Sequence, residues 1–235
     1  MISTLSKFIF GDRVKNRTFP VSDPAEFLYS SINWKISVIG GSYALKQFTG
    51  DDGWIPNDVD IIMDCQTEKE FDEESEKFAK SANLDLVKYC KRKPRSDNII
   101  IFDKNGNLID EKTPEDFKES GMDHEMFHDF IKGSRTYTSE TLEKIQTVHF
   151  KTDEGRSLQS VLSETTDSPS CVNFHVETYK TRTMAGYPNG PLTSQKIFHV
   201  PQKGLELLLT GKGKSDDICS SRKEKYEERG YKYEN

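Results

Sequence analysis

Asp58-Val59-Asp60 opens the apolar run Ile61-Ile62-Met63, and that setting gives the two carboxylates a chemical meaning. Residues i and i+2 of a strand share a face, so Asp58 and Asp60 should stand side by side, about 7 Å apart at the backbone. Like charges that close repel each other, and a bound cation relieves the repulsion. Magnesium, or manganese in its place, suits the pair because a hard cation prefers carboxylate oxygens and substrate phosphates. Two such ions about 4 Å apart can activate an attacking oxygen and stabilise a leaving one. Upstream, Val38-Ile39-Gly40-Gly41-Ser42 ends a second apolar run. Gly40 and Gly41 would let the backbone approach a phosphate, Ser42 adds a hydroxyl, and a following helix offers its first N–H groups to the anion. Together these parts describe nucleotide transfer from a nucleoside triphosphate. An isolated Asp-x-Asp is commonly a solvated turn and a Gly-Gly-Ser commonly a loop, so only the combination carries the reading.

The elements that must position these residues follow from periodicity. Trp34 to Ile39 alternates as a strand, and Tyr43 to Phe48 has helical spacing at Ala44, Leu45 and Phe48. Thr49 to Asn57 reads as a loop, and Asp58 to Met63 as a second strand. Thr67 with Glu70 makes a capping box that opens a helix to about Ala82. Ile99 to Phe102 is a strand entering a turn at Asp103 to Gly106, and Thr113-Pro114-Glu115-Asp116 starts another helix. A strand from Ile145, a helix over Ser157 to Leu162, a strand over Cys171 to Val176 and a helix over Arg222 to Glu228 complete the pattern. Lys88 to Arg95 is a basic stretch, either a solvated loop before a strand or a local nucleic-acid contact.

The strand, Gly-Gly-Ser turn, helix, loop and Asp-x-Asp strand resemble the polymerase-beta nucleotidyltransferase superfamily. A further similarity is to the small nucleotidyltransferases of large DNA viruses and some eukaryotes. It is carried by Lys144-Ile145-Gln146, by Asp167-Ser168-Pro169-Ser170-Cys171 and by Lys225-Tyr226-Glu227-Glu228-Arg229-Gly230. The match covers residues 34–64 and 144–231. The resemblance implies an α+β domain, a mixed sheet flanked by helices in the nucleotidyltransferase fold, with a helical C-terminal segment. The corresponding division is an approach segment over 1–30, the main domain over 31–200 and a charged helical segment over 201–235. It also implies Asp167 as a third catalytic and metal-binding carboxylate, and Lys225 and Arg229 as a clamp on the triphosphate. Thr166 stands where the group has phenylalanine and Pro169 interrupts the strand start, which leaves Glu177 as the other choice for the third carboxylate. Lys225 and Arg229 fit equally the ion pairs of a Lys/Glu-rich helix surface.

Two other functions are weighed beside transfer. His124-Glu125-Met126-Phe127-His128 fits the zinc-protease pattern, with Glu125 as general base, but the extended form of that motif fails at Ile131 and Ser134. A catalytically silent relative would bind a nucleotide without transferring it. Net charge is −6, which excludes the whole molecule as an electrostatic nucleic-acid binder, and no apolar stretch reaches membrane-spanning length. Cys65, Cys90, Cys171 and Cys219 form no C-x-x-C pair, as expected of reduced thiols. The expectation is a cytoplasmic protein, in the host-cell cytoplasm if viral. Its donor is a nucleoside triphosphate, and the acceptor (RNA, protein or small molecule) is left open by the residues.

Overall fold

The computed structural model describes residues 23–51, 53–93, 96–113, 116, 130–153, 155–164, 172–180, 192–214 and 220–234. Nine strands form one mixed sheet: β1 Ser37–Gly40, β2 Val59–Asp64, β3 Asp85–Arg92, β4 Ile99–Asp103, β5 Leu108–Lys112, β6 Ile131–Thr138, β7 Ile145–Phe150, β8 Asn173–Lys180 and β9 Leu192–His199. Their order across the sheet is β5-β4-β3-β6-β7-β2-β1-β8-β9. β2 and β7 run parallel, and the other neighbours are antiparallel. The helices are α1 Gly41–Thr49, α2 Glu68–Ser81, α3 Leu158–Glu164, α4 Gln202–Thr210 and α5 Ser220–Glu228. Two short parallel strands, β10 Lys212–Lys214 and β11 Lys232–Glu234, pair beside α4 and α5.

β2 sorts its side chains to the two faces. Val59, Ile61 and Met63 are almost fully buried and join Tyr43, Ala44 and Leu45 of α1, Phe71 and Phe78 of α2, and Tyr226 of α5 in the main core. Burying a side chain of this kind is worth about 1.5–3 kcal/mol, and this periodic burial fixes the register of β2. Asp60, Ile62 and Asp64 occupy the opposite face. There Val38, Ile62 and Phe150 pack against Leu158 and Val161 of α3 in a smaller cluster. α2 begins as its capping box predicts: Thr67 accepts from the Glu70 N–H at 3.1 Å, and the Glu70 carboxylate accepts from the Gln66 N–H at 2.9 Å.

The expected helix-flanked nucleotidyltransferase fold is overturned. The molecule is dominated by the nine-stranded sheet, with few helices among the described residues. Stretches that lack an apolar alternation, Asp85–Arg92, Ile131–Thr138 and Leu192–His199, are strands and widen the sheet. Lys88 to Arg92 of the basic stretch is therefore the end of β3 rather than a loop, while Pro94 and Arg95 lie outside the described residues. The segment after residue 200 is helix and strand in alternation, not simply helical. The motif at His124, Glu125 and His128 lies outside the described residues, as do Cys171 and Cys219. Cys65 and Cys90 are free thiols; burial pushes the Cys65 thiol up to about 12. Among the described residues no helix is long and apolar enough to cross a membrane.

Candidate functional site

The two halves of the sequence motif meet at the end of β1. Antiparallel pairing sets Gly40 opposite Asp60, and β1 then turns directly into α1. Gly41 makes that turn with φ +67°, in the left-handed region, and a Cβ built on it would lie 2.8 Å from Asp60 Oδ2. Glycine at 41 is thus required twice, by the backbone and by the carboxylate packed against it. A Cβ on Gly40 would fall 2.9 Å from Ile62 Cδ1 and 4.0 Å from the Asn173 Cβ. Ser42 sits buried in the first turn of α1, which receives no side-chain cap from Gly40.

Asp58 immediately precedes β2 and shares the face of Asp60. Its Oδ2 accepts from Lys144 Nζ at 2.6 Å, with the carboxylate side chain 19% exposed and the lysine 42%. The parallel neighbour β7 delivers that lysine, since Val59 N–H donates to the Lys144 carbonyl and Asp60 pairs with Gln146. Asp64, farther along the same face, is occupied by the Thr152 hydroxyl and N–H, so it belongs to the scaffold. One line across this face runs Thr136, Gln146, Asp60, Gly40, Asn173 and His199. Gly40 carries no side chain in this line, and Ile62 packs into the space that a Cβ there would take.

Of the choices for a third carboxylate, Asp167 lies outside the described residues. Glu177 is placed away from the pair: it lies four residues beyond Asn173, roughly 13 Å along β8, and holds His175 Nε2 at 3.2 Å. β8 is antiparallel to β1, as β2 is, so the start of β8 and Asp58 lie at the same end of the sheet. Among the described residues no group of three or more His, Cys, Asp or Glu is arranged to hold a metal ion.

Of the expected clamp, Arg229 reaches the loop that leads into Asp58. Its guanidinium stacks on Trp54, 3.8 Å from the ring centroid, and its Nη1 is buried without a hydrogen bond. Burial lowers the Arg229 pKa from its ordinary value, opposed by nearby acidic groups that include Asp51. Lys225 lies with its Nζ 5.9 Å from the Tyr226 ring. Trp54 and Asn173 carry no motif of their own. Lys144 belongs to a motif, but its pairing with Asp58 depends on β7 lying parallel to β2, which local sequence does not specify. No protein-family model matches the chain, and no curated protein is similar to it.

Proposed function

We propose that the protein is a metal-dependent nucleotidyltransferase, moving a nucleoside monophosphate from a nucleoside triphosphate to a hydroxyl acceptor. The observation that carries this reading is the contact of the Gly40-Gly41 turn with Asp60, which sets a helix start against one of two paired carboxylates. The kinship suggested by the motifs, with the polymerase-beta superfamily, belongs to the same proposal and rests on the motifs alone. Asp58 and Asp60 fit a divalent cation because the site already takes a positive charge, the Lys144 ammonium. Magnesium or manganese bound there would neutralise phosphate charge and activate the attacking oxygen. Gly40, Gly41 and Ser42 would hold the phosphates through backbone N–H groups and one hydroxyl. Arg229, with a buried guanidinium N–H lacking an acceptor, would supply a further phosphate contact from the side of Trp54. Asp167 remains the proposed acceptor-side carboxylate, taking the proton from the attacking hydroxyl.

The Lys144–Asp58 ion pair favours a second reading, in which the lysine permanently replaces a cation and the protein binds a nucleotide without transfer. One experiment separates the two. Labelled triphosphates are incubated with the protein and manganese or magnesium, against pools of RNA, protein and small molecules. Label transfer that disappears in Asp60→Asn supports the enzyme. Triphosphate binding without transfer under any pool supports the silent relative, and absence of binding removes both.

A further inference from the structure

β8 and β9 bring two histidines together on the face of the sheet that carries Asp60. Asn173 pairs with His199, and Gly40 joins that line to Asp60. His175 follows Asn173 by two residues and therefore shares its face. His175 and His199 are thus diagonal neighbours across an antiparallel pair, a separation that long side chains bridge. Here the bridge is made: His175 Nδ1 lies 2.9 Å from His199 Nε2, and the rings stack with centroids 5.0 Å apart and planes 17° from parallel. Both imidazoles are partly exposed, which leaves an approach from solvent. Three strand spacings, roughly 14 Å, separate His199 from Asp60, so neither histidine belongs to the site described above.

A hydrogen bond between two imidazole nitrogens needs one proton and one lone pair, and Glu177 decides which ring supplies which. Its Oε1 lies 3.2 Å from His175 Nε2, and a carboxylate only accepts, so that nitrogen carries the proton. In the neutral ring Nδ1 is then a lone pair aimed at His199, and His199 Nε2–H is the donor. Moving that proton to Nδ1 of the same His199 ring, through solvent, leaves two lone pairs converging on one point with no change in net charge. An imidazole whose second N–H is held by a carboxylate is also the arrangement that orients a metal-ligating histidine. With metal–nitrogen bonds of about 2.0–2.1 Å, nitrogens 2.9 Å apart subtend an angle of about 90° at the ion. Right angles belong to the square or tetragonal coordination of copper(II) and nickel(II), and imidazole suits both ions, whereas magnesium prefers oxygen.

We infer that His175 Nδ1 and His199 Nε2 chelate a divalent transition ion of the copper or nickel class, with Glu177 as the positioning residue that fixes the His175 ring. The chelate has two protein ligands and differs from clusters of three or more metal-binding side chains, of which the described residues hold none; water fills the other positions. It does not depend on the reaction proposed for Asp58 and Asp60. The test is titration of the chelator-stripped full chain with nickel(II). Calorimetry reads the affinity, and the rise in melting temperature reads binding to the folded state. Wild type binds the ion. His175→Phe and His199→Phe keep a ring in the stack, yet each weakens binding about tenfold or more. The double variant loses little beyond either single one, because one imidazole cannot chelate. Glu177→Ala, at an exposed position, weakens binding about tenfold without lowering the metal-free melting temperature, and Glu177→Gln, which keeps an acceptor, restores most of the affinity. Copper(II) bound to wild type shows two coordinated nitrogens by electron paramagnetic resonance, and one fewer in His199→Phe. Asp60→Asn and His124→Ala, which break the other candidate metal sites, leave nickel binding unchanged. The proposal is overturned if wild type does not bind nickel, if either His175 or His199 is replaced without loss, if Glu177→Ala binds as wild type does, or if Asp60→Asn or His124→Ala abolishes the binding.

Discussion

Gly41→Ala tests the contact on which the candidate site depends. A non-glycine residue in the left-handed region costs about 1–2 kcal/mol, and Gly41 sits there at φ +67°. The new Cβ would also fall 2.8 Å from Asp60 Oδ2, closer than real contacts allow, so the carboxylate must leave its rotamer at a cost of about 0.5–1.5 kcal/mol. The sum, about 1.5–3.5 kcal/mol, lowers the melting temperature of a chain of this size by roughly 3–14 °C. Asp60→Ala removes the clash but not the backbone strain. In that background Gly41→Ala costs only the first part, and a double-mutant cycle gives a coupling of about 0.5–1.5 kcal/mol between the positions. Thermal unfolding of the four proteins measures this. Manganese titration followed by electron paramagnetic resonance adds the functional readout, since a displaced Asp60 binds the ion about tenfold more weakly. A melting temperature for Gly41→Ala within a degree of wild type, or a coupling of zero, would refute the close approach of turn and carboxylate.

Asp58→Asn and Asp60→Asn should each abolish magnesium-dependent transfer while circular dichroism stays unchanged; transfer at the wild-type rate in either sinks the assignment. Lys144→Met keeps the aliphatic stem and removes the ammonium that covers Asp58, so manganese affinity should rise about three- to tenfold, and an unchanged affinity would show that the lysine does not compete for the carboxylate. His149 is buried, stacks on Phe71 at 4.8 Å and has its Nε2 3.0 Å from the Cys65 carbonyl. Burial lowers its pKa below the ordinary 6.5, and the hydrogen bond to Cys65 opposes the shift only in part. The unfolded chain then binds more protons as pH falls through 6.5, so the contribution of His149 is complete above that value and is lost below it. Denaturant unfolding at pH 7.5 and pH 5.5 should show the loss, and it should shrink in His149→Phe; an equal loss in the variant would assign the acid sensitivity elsewhere, for instance to His199, whose pKa burial also lowers.

Where residues report their own surroundings, the sequence was a good guide to the fold. Thr67 and Glu70 declare the start of α2; the helix expected from Thr113 falls largely outside the described residues. Val59, Ile61 and Met63 alternate because one face of β2 is core and the other is not. β6 gives no such signal. Its buried positions are Gly133, Ser134, Thr136 and Tyr137, and burial there is made tolerable by hydroxyl partners from distant elements. Tyr137 Oη donates to the Ser75 carbonyl at 3.4 Å, and Ser75 Oγ lies 3.3 Å from Thr147 Oγ1, linking β6, α2 and β7 through polar atoms in the core. β3 is opaque for a different reason. Its charged residues line a concavity instead of packing into a core, so neither a strand nor a helix period survives in Asp85–Arg92.

The candidate site divides the same way. Gly40-Gly41-Ser42 and Asp58-Val59-Asp60 were each visible because their chemistry is local: a left-handed turn needs glycine, and two carboxylates at i and i+2 need a reason to coexist. That they touch follows from one pairing, Gly40 with Asp60, and a one-residue slip in β1 would have turned Gly40 to the core face, away from Asp60. β1 is buried on both faces, Ile39 on one and Val38 on the other, so the pairing with β2 and not hydropathy alone sets the contact between glycine and carboxylate. The third carboxylate had no such constraint. Glu177 and Asn173 share a face of β8 by period alone, yet four residues of extended chain carry Glu177 out of reach of Asp60. Membership of a strand therefore does not make a carboxylate a ligand. Its level along the strand decides, and that level was set by the pairing of Ile39 with Phe174 across β1 and β8, a contact far apart in sequence that no local motif encodes.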